Sequence, residues 1–434
     1  MASQSSLFTS DFKPAPYWWD NAQPEPRTDA ALPDEADVVI IGSGYTGLHA
    51  AIQTAREGLS TLILDAESAG FGCSTRNGGQ ISTSVKPDFA ALSSRYGEKH
   101  ATDILKEGQA SLDYIERFVR EEQINCGFEK VGRFHGAHTA RLFQTLSRAC
   151  KDENPAFKND AYMVSRADQH TELATDVYHG GVVFPHHASI DPGQYHQGLL
   201  RVAREAGACV ISHCRVAQLQ RTGNAFQLET SRGPVRAGRV ILATNGYTGP
   251  LTPWHQRRVI PIGSYIIATE EIAPEQMDRL MPKNRILSDT RKLVYYYRPS
   301  PDRKRILFGG RVSLHETDPR KSGPKLHAEL LRLLPQLKGT RISHSWNGFV
   351  AFSFDSLMHK GQDNGLYYAM GYCGSGVGMA SYLGMRMGRQ AAGREDGKTA
   401  FDTVPFQTRP LYTGNPWFLA PSVLAYRLRD RLGV

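Results

Sequence analysis

One run of residues limits the fold more than any other. Asp37-Val38-Val39-Ile40-Ile41 passes directly into Gly42-Ser43-Gly44-Tyr45-Thr46-Gly47, and Thr61-Leu62-Ile63-Leu64-Asp65 follows. The first segment is short, apolar and β-branched, as expected of a strand covered on both faces. Leu48, Ala51, Ile52 and Ala55 then recur at helical spacing, and Gly58 suits a C-terminal stop. The second apolar run ends in an acid. Strand, GxGxxG turn, helix, strand and acid in this order form a βαβ unit that binds a dinucleotide. The glycines admit a pyrophosphate to the backbone, the helix N-terminus faces its charge, and Asp65 accepts from a ribose hydroxyl.

A chain of 434 residues has room for two interleaved domains. It is 40% hydrophobic and 22% charged, within the ordinary range for globular proteins. No apolar stretch reaches membrane-spanning length. The N-terminal stretch lacks the basic and apolar regions of a signal peptide, so a cytoplasmic location is expected. The six cysteines are scattered without a CxxC pair, which fits reduced thiols better than a disulfide framework or a zinc site. The net charge of +8 is spread along the chain beside acids, with no dense basic run, so no nucleic-acid partner is expected. A diffuse positive field can instead gather an acidic substrate or retain an anionic cofactor.

A second glycine-rich loop begins soon after Asp65: Gly70-Phe71-Gly72-Cys73-Ser74-Thr75-Arg76-Asn77-Gly78-Gly79-Gln80. Gly72, Gly78 and Gly79 would let a long ligand approach the backbone. Ser74, Arg76, Asn77 and Gln80 would offer donors to phosphate and ring heteroatoms. Two distant segments point to the same ligand. Residues 239–246, with Ala243 and Asn245, read as a strand ending in a small-residue turn. Residues 366–370 read as another strand leading into Gly371-Tyr372-Cys373-Gly374-Ser375-Gly376-Val377-Gly378 and a helix. A helix start at Gly374, Ser375, Gly376 and Val377 could face the pyrimidine end of a flavin. NAD would not usually need this second clamp, so FAD is the expected dinucleotide.

These residues resemble the glycine oxidase / D-amino-acid oxidase superfamily of FAD-dependent amine oxidoreductases. The branch acting on γ-glutamylated polyamines shares GSGYTGL, GFGCSTRNGGQ, PQLKGTRI, the Trp346-Asn347-Gly348 turn, the GYCGSGVG segment and the terminal LRDRLGV. The resemblance implies an α/β fold: a Rossmann-like FAD-binding domain of discontinuous segments (34–90, 150–250 and 346–395), plus an α+β substrate domain with a mixed sheet (91–149 and 251–345). An N-terminal arm (1–33) and a C-terminal tail (396–434) flank them. It also implies non-covalent FAD held at Tyr45, Thr46, Asp65, Ala66, the Gly72–Ser74 turn, Gly78, Gly79 and Gln80, with Val216 at the adenine side and residues 374–377 at the flavin ring.

The implied chemistry is oxidative deamination of a small-molecule amine, a γ-glutamylated or other polyamine derivative, with O2 or another electron acceptor. A secondary amino acid of sarcosine or pipecolate type is the alternative substrate, and a non-catalytic flavin-binding or electron-transfer protein the alternative class. A homo-oligomer is compatible with either. Tyr265, Tyr296, Trp346 and Phe349 are expected over the flavin, where aromatic surroundings hold a cation and ease its deprotonation. Tyr295 and Tyr297 must face opposite to Tyr296 along a strand. Arg298 and Arg311 could pair a substrate carboxylate. Two positions depart from the superfamily pattern: Ser375 stands where a histidine is found in the resembling branch, and Leu307 where sarcosine-oxidase-like relatives carry an oxygen-activating lysine. The pairs His135/His138 and His186/His187 lack a convincing third ligand, so no metal is expected. Leu424, Leu428 and Leu432 share a helical face beside arginines, as expected of a tail docked on the protein's own surface.

Overall fold

The computed structural model describes residues 7–27, 30–151 and 160–433. Parts of the expected arm (1–6 and 28–29), residues 152–159 of the expected FAD-binding domain and Val434 of the terminal motif lie outside them. The strand Glu35–Ile41 sits at the centre of an eight-stranded sheet, parallel to Thr61–Leu64 on one side and Gly233–Leu242 on the other. Cys209–Ile211 extends the parallel order beyond Thr61–Leu64, and Leu366–Met370 pairs in parallel with the end of Gly233–Leu242. Val38, Val39 and Ile40 are fully buried, so both faces of this strand are covered. That is why its sequence is a continuous apolar run rather than an alternation.

Two helices cover one face of this sheet, Tyr45–Arg56 and Gly376–Ala391. They approach closely because one presents glycine to the other's backbone. A Cβ at Gly384 would lie 2.5 Å from the Thr46 carbonyl oxygen, and one at Gly388 2.5 Å from that of Ala50. The long helix Glu98–Glu121 packs Ile104, Leu112, Ile115 and Phe118 into the same core.

The second sheet has nine strands in the order Phe8–Lys13, Ile342–Phe352, Ile260–Thr269, Ile306–Gly310, Tyr296–Pro299, Ile286–Asp289, Arg133–Gly136, Gly181–Phe184 and Tyr162–Val164. It is mixed, with parallel pairing at Phe8–Lys13 and between Ile286–Asp289 and Arg133–Gly136. One face is backed by the helix Pro319–Leu333 through Tyr265, Ile267, Phe308 and Leu330. The other carries Ile266, Ala268, Leu307 and Trp346, onto which Trp18 of the N-terminal arm packs.

The structure redraws the domain boundaries expected from sequence. Residues 162–164 and 181–184 join the nine-stranded sheet, because their apolar side chains pair and pack there. Residues 346–352 belong to the same sheet as the end of one eleven-residue strand. Residues 98–121 pack with the dinucleotide-type core instead of the second sheet, because their apolar stripe meets both helices of that core. The arm contributes a strand, and the tail helix Leu419–Leu432 docks on the protein itself, where Asp430 accepts from the backbone amides of Lys292 and Leu293.

Trp18 ties the two halves together. It is fully buried and its indole donates to the Asn77 carbonyl at 2.8 Å. Trp18→Ala should lower unfolding free energy by about 3–5 kcal/mol, read as a shift in urea midpoint.

Candidate functional site

The first glycine turn is built by packing. Gly42 has φ of +108° and lies against Ala243, where a Cβ would come 2.9 Å from the carbonyl oxygen. A Cβ at Gly47 would fall 1.9 Å from the Gly42 carbonyl oxygen, so only glycine lets the helix start this close to the turn. The Asp65 carboxylate accepts from the Ser43 amide at 2.8 Å and from its hydroxyl at 2.5 Å, fixing the turn to the end of the second strand. Residues 211–214 run beside Asp65, with the Cys214 amide donating to its carbonyl at 2.7 Å; Val216 opens the next strand in the chain, Val216–Thr222, and Ala66 lies half-buried after the acid. Behind the turn, buried His196 bonds the Ser43 carbonyl at 2.8 Å. Nothing in the spacing of His196 marks that role.

The second glycine-rich helix start meets the first. Thr46 and Tyr372 share a 2.6 Å hydroxyl–hydroxyl bond. The Asn245 side chain accepts from the Gly371 amide at 3.0 Å, and the Ser375 hydroxyl donates to the Ser84 carbonyl at 2.7 Å. Neither Gly44 nor Ser375 caps its helix with a side chain. Gly374 is exposed, with only the Lys86 side chain near where a Cβ would stand. Apart from the Tyr45 amide, which the Ser74 hydroxyl takes, the two helix starts present first-turn amides beside glycine backbone, and Asp65 is at hand. An extended, doubly phosphorylated dinucleotide fits this donor set.

The polar loop between them works differently from the expectation. Its polar side chains are engaged with the protein itself. The Ser74 hydroxyl accepts from the Tyr45 amide at 3.0 Å. The Asn77 amide group donates to the Ser74 carbonyl at 2.9 Å and accepts from the Gly79 amide at 2.9 Å. Arg76 donates to the carbonyls of Phe71 and Asn347, and its guanidinium lies over the rings of Trp19 and Phe71. Gln80 donates to the Tyr297 carbonyl at 3.0 Å. These four residues brace the loop internally, against the start of helix Tyr45–Arg56 and against the second sheet. Gly79, with φ of +64°, is required by the Ile190 carbonyl oxygen, which would lie 2.1 Å from a Cβ at this position. Gly78 touches the Tyr296 ring, Gly72 lies 3.5 Å from the Tyr247 ring by the same measure, and the Cys73 sulfur lies near Gly348. Burial raises the Cys73 thiol to about 11, so it is protonated at neutral pH.

The four aromatic candidates divide. Tyr296 lies on the sheet face toward the glycine loop and shares a 2.7 Å bond with the Ser264 hydroxyl. Phe349 is half-buried and meets the Tyr247 ring edge-on at 5.7 Å. Tyr265 does not join them. Strand alternation turns it to the helix-backed face, where its hydroxyl donates to Glu316 at 2.8 Å. Trp346 is on the loop side but fully covered, and its indole donates to the Arg76 carbonyl at 2.9 Å. The two candidate arginines are also committed. Arg298 donates to the carbonyls of Gly79, Ile190 and Pro299, and Arg311 pairs with Glu316 at 2.9 Å. His138 bonds Thr290 and His186 pairs with Asp160; no cluster of three metal-ligating side chains occurs among the described residues.

Residues 37–390 match the model of the family described as FAD dependent oxidoreductase. The chain belongs to that family. It is 30% identical over 401 residues to "Gamma-glutamylputrescine oxidoreductase" of Escherichia coli (strain K12), covering 92% of this chain and 93% of the relative. It is 29% identical over 433 residues to "Probable oxidoreductase OrdL" of Rhizobium meliloti (strain 1021), covering 97% and 99%. Glycine oxidase from Geobacillus kaustophilus shares the fold, with a TM-score of 0.71 at 17% identity over 87% of this chain and 99% of that one. The protein is thus an FAD-dependent oxidoreductase related to amine and amino-acid oxidases, with a Rossmann-like fold. No helix among the described residues is long and apolar enough to cross a membrane.

Gly47→Ala should cost at least ~10-fold in FAD retained after purification, because the turn cannot close; the flavin-to-protein absorbance ratio measures it. A second expectation concerns pH. Burial pulls His49, held between Tyr114 and Tyr195, down to about 3. The unfolded chain protonates this group near ~6.5. Between these values the unfolded state binds more protons, so stability present above pH ~6.5 is lost as pH falls toward 3. Urea midpoints at pH 7.5 and 5.5 should show the loss, and His49→Gln should reduce the difference.

Proposed function

We propose that this enzyme oxidises a C–N bond of an amine substrate, with a γ-glutamylated or other functionalised polyamine as the best-supported class. One observation carries the reading: Tyr296, Ser264 and Phe349 stay partly exposed on strands of the second sheet, Tyr296 against Gly78 of the glycine-rich loop, and exposed Tyr247 of the Asn245–Tyr247 turn meets Phe349 edge-on beside Gly72. Similarity to the E. coli relative over nearly the whole of both chains supports the substrate class.

Bound non-covalently, FAD would supply the two-electron oxidant for the carbon next to the substrate nitrogen. The residues that would hold it are the Gly42–Gly47 turn, Asp65, the backbone of residues 72–80 and the amides at 374–377. The chain's own contribution is placement and desolvation. Tyr247 and Phe349 would wall a cleft, exclude water and favour the neutral amine, the form that loses a hydride equivalent. The Tyr296–Ser264 hydroxyl pair offers a polar anchor at the centre of the face. Burial pushes the Tyr296 phenol upward, so it remains a neutral donor or acceptor across the working pH range. Leu307 lies in the cluster under Trp18, so this strand brings no cation toward the cleft at that position. The electron acceptor is therefore part of the test, and a cytoplasmic enzyme with either acceptor is consistent with the reading.

Anaerobic titration of the FAD-loaded protein with γ-glutamylputrescine, putrescine, sarcosine and pipecolate tests it. Bleaching of the flavin band by γ-glutamylputrescine, with recovery in air, is the expected result. Bleaching without prompt recovery would identify a dehydrogenase. Bleaching only by sarcosine or pipecolate would transfer the reading to secondary amino acids. A band that no amine bleaches would remove the enzymatic proposal for this class.

A further inference from the structure

The strand Arg133–Gly136 lies two strands from Tyr296 across the second sheet. Cross-strand pairing runs from His135 to Ser288 and from Ser288 to Tyr296. Arg133 and His135 are two residues apart, so both share the sheet face that carries Tyr296, the side toward the glycine-rich loop. The Ser288 hydroxyl meets both of them, at 2.8 Å from Arg133 Nε and 2.8 Å from His135 Nδ1. Lys86 approaches from the other wall, beside Gly374, and its Nζ lies 5.3 Å from the Phe352 ring centre.

The other arginines embedded in this sheet are satisfied. Arg285 pairs with Glu172, Arg291 with Asp289 and Arg311 with Glu316, while Arg298 is held by three carbonyls. Arg133 is different. Its only hydrogen bond among the described residues is through Nε to Ser288, which leaves both terminal nitrogens of a half-buried guanidinium without a carboxylate. Lys86 likewise has no ion pair among them, and His135 faces no acid. Burial alone pulls Arg133 down to about 10, and burial with repulsion from Arg133 and Lys86 pulls His135 to about 3. His135 is thus a neutral ring that orients its neighbours, and the positive charge resides on Arg133 and Lys86. A half-buried, unpaired guanidinium is costly unless an anion completes it.

We propose that Arg133, supported by Lys86, binds a carboxylate of the substrate, and that this carboxylate is remote from the amine being oxidised. The proposal rests on the amine-oxidising reading above and names its substrate more closely. Two strand spacings separate Arg133 from Tyr296, roughly 10 Å backbone to backbone. The amine and carboxylate of an α-amino acid lie within a few bonds of each other and do not span that distance. An extended amine with a terminal carboxylate does, as does a γ-glutamylated diamine. Free diamines lack the anion.

The test compares wild type, Arg133→Gln and Arg133→Lys as FAD-loaded enzymes, each checked for flavin content and melting temperature. Substrates are γ-glutamylputrescine, putrescine and sarcosine. Glutarate, titrated calorimetrically, reports the anion site without turnover. Wild type should prefer γ-glutamylputrescine over putrescine, and Arg133→Gln should collapse that preference by ~30- to 100-fold, chiefly through KM. Glutarate affinity should fall by a similar factor, and Arg133→Lys should recover part of both. Glutarate binding and KM that ignore Arg133→Gln would overturn the proposal. So would equal losses on all three amines, or a wild-type preference for sarcosine. If wild type oxidises no amine, the functional reading fails by itself, and the glutarate titration still decides whether Arg133 holds an anion.

Discussion

The backbone-to-backbone approach of two helices sets the rest of the molecule. Gly384 and Gly388 press against the carbonyls of Thr46 and Ala50, with no side chain between. That contact joins the first βαβ unit to a helix more than 300 positions later in the chain. It places the two glycine-rich helix starts side by side, and the Thr46–Tyr372 bond locks their order. A cofactor cradle built this way has its electrostatics fixed by main-chain dipoles, which need no reorganisation when a dinucleotide binds. A larger residue at either glycine would separate the helices and misalign both ends of the cradle together.

The glycine-rich loop shows how such a cradle is kept stiff. Its polar side chains make bonds within the loop, to the first helix or to the second sheet, and Trp18 and Trp19 of the N-terminal arm clamp it from outside, through the Asn77 carbonyl and the Thr75 hydroxyl. The loop is polar because a segment pressed between two sheets has many backbone groups to satisfy. A ligand-facing capacity would come from the backbone and glycine surface that these bonds leave free.

This explains what is legible in the sequence and what is not. The central strand, the GxGxxG turn and Asp65 are readable because each local requirement leaves a fixed residue at a fixed spacing. The second helix start is readable for the same reason. Tyr265 and Trp346 mislead because an aromatic residue in a strand carries no mark of which face it takes or what will cover it. Tyr265 turns to the helix side, and Trp346 is covered by an arm from the far end of the chain. Arg298 and Arg311 mislead in a related way, since a buried arginine near a site more often satisfies carbonyls or a neighbouring carboxylate. Arg133 leaves no signal at all. Its distinction is the absence of a carboxylate partner among the described residues, a tertiary fact that no pattern of neighbours in sequence encodes.

Charge ties these points together. The net charge of +8 suggests a field that gathers anions, yet most cations in the second sheet are cancelled by local acids. A general basic surface would add little specificity, because exposed charges are screened within about a Debye length of ~8–10 Å. Selectivity requires charge that is both uncompensated and sheltered. Arg133 and Lys86 meet that condition on the side of the second sheet that faces the glycine-rich loop. Tyr296 and the aromatic groups provide a neutral region two strands away. On the proposal above, a site polarised in this sense would discriminate by length as well as by charge, because a substrate would have to put its anion and its amine at separate places to satisfy both. Shortening the substrate would forfeit one end, and removing its carboxylate would leave the guanidinium desolvated without compensation. Under that proposal the fold would favour an elongated, zwitterion-capable amine through the same sheet geometry that sends Tyr265 to the opposite face.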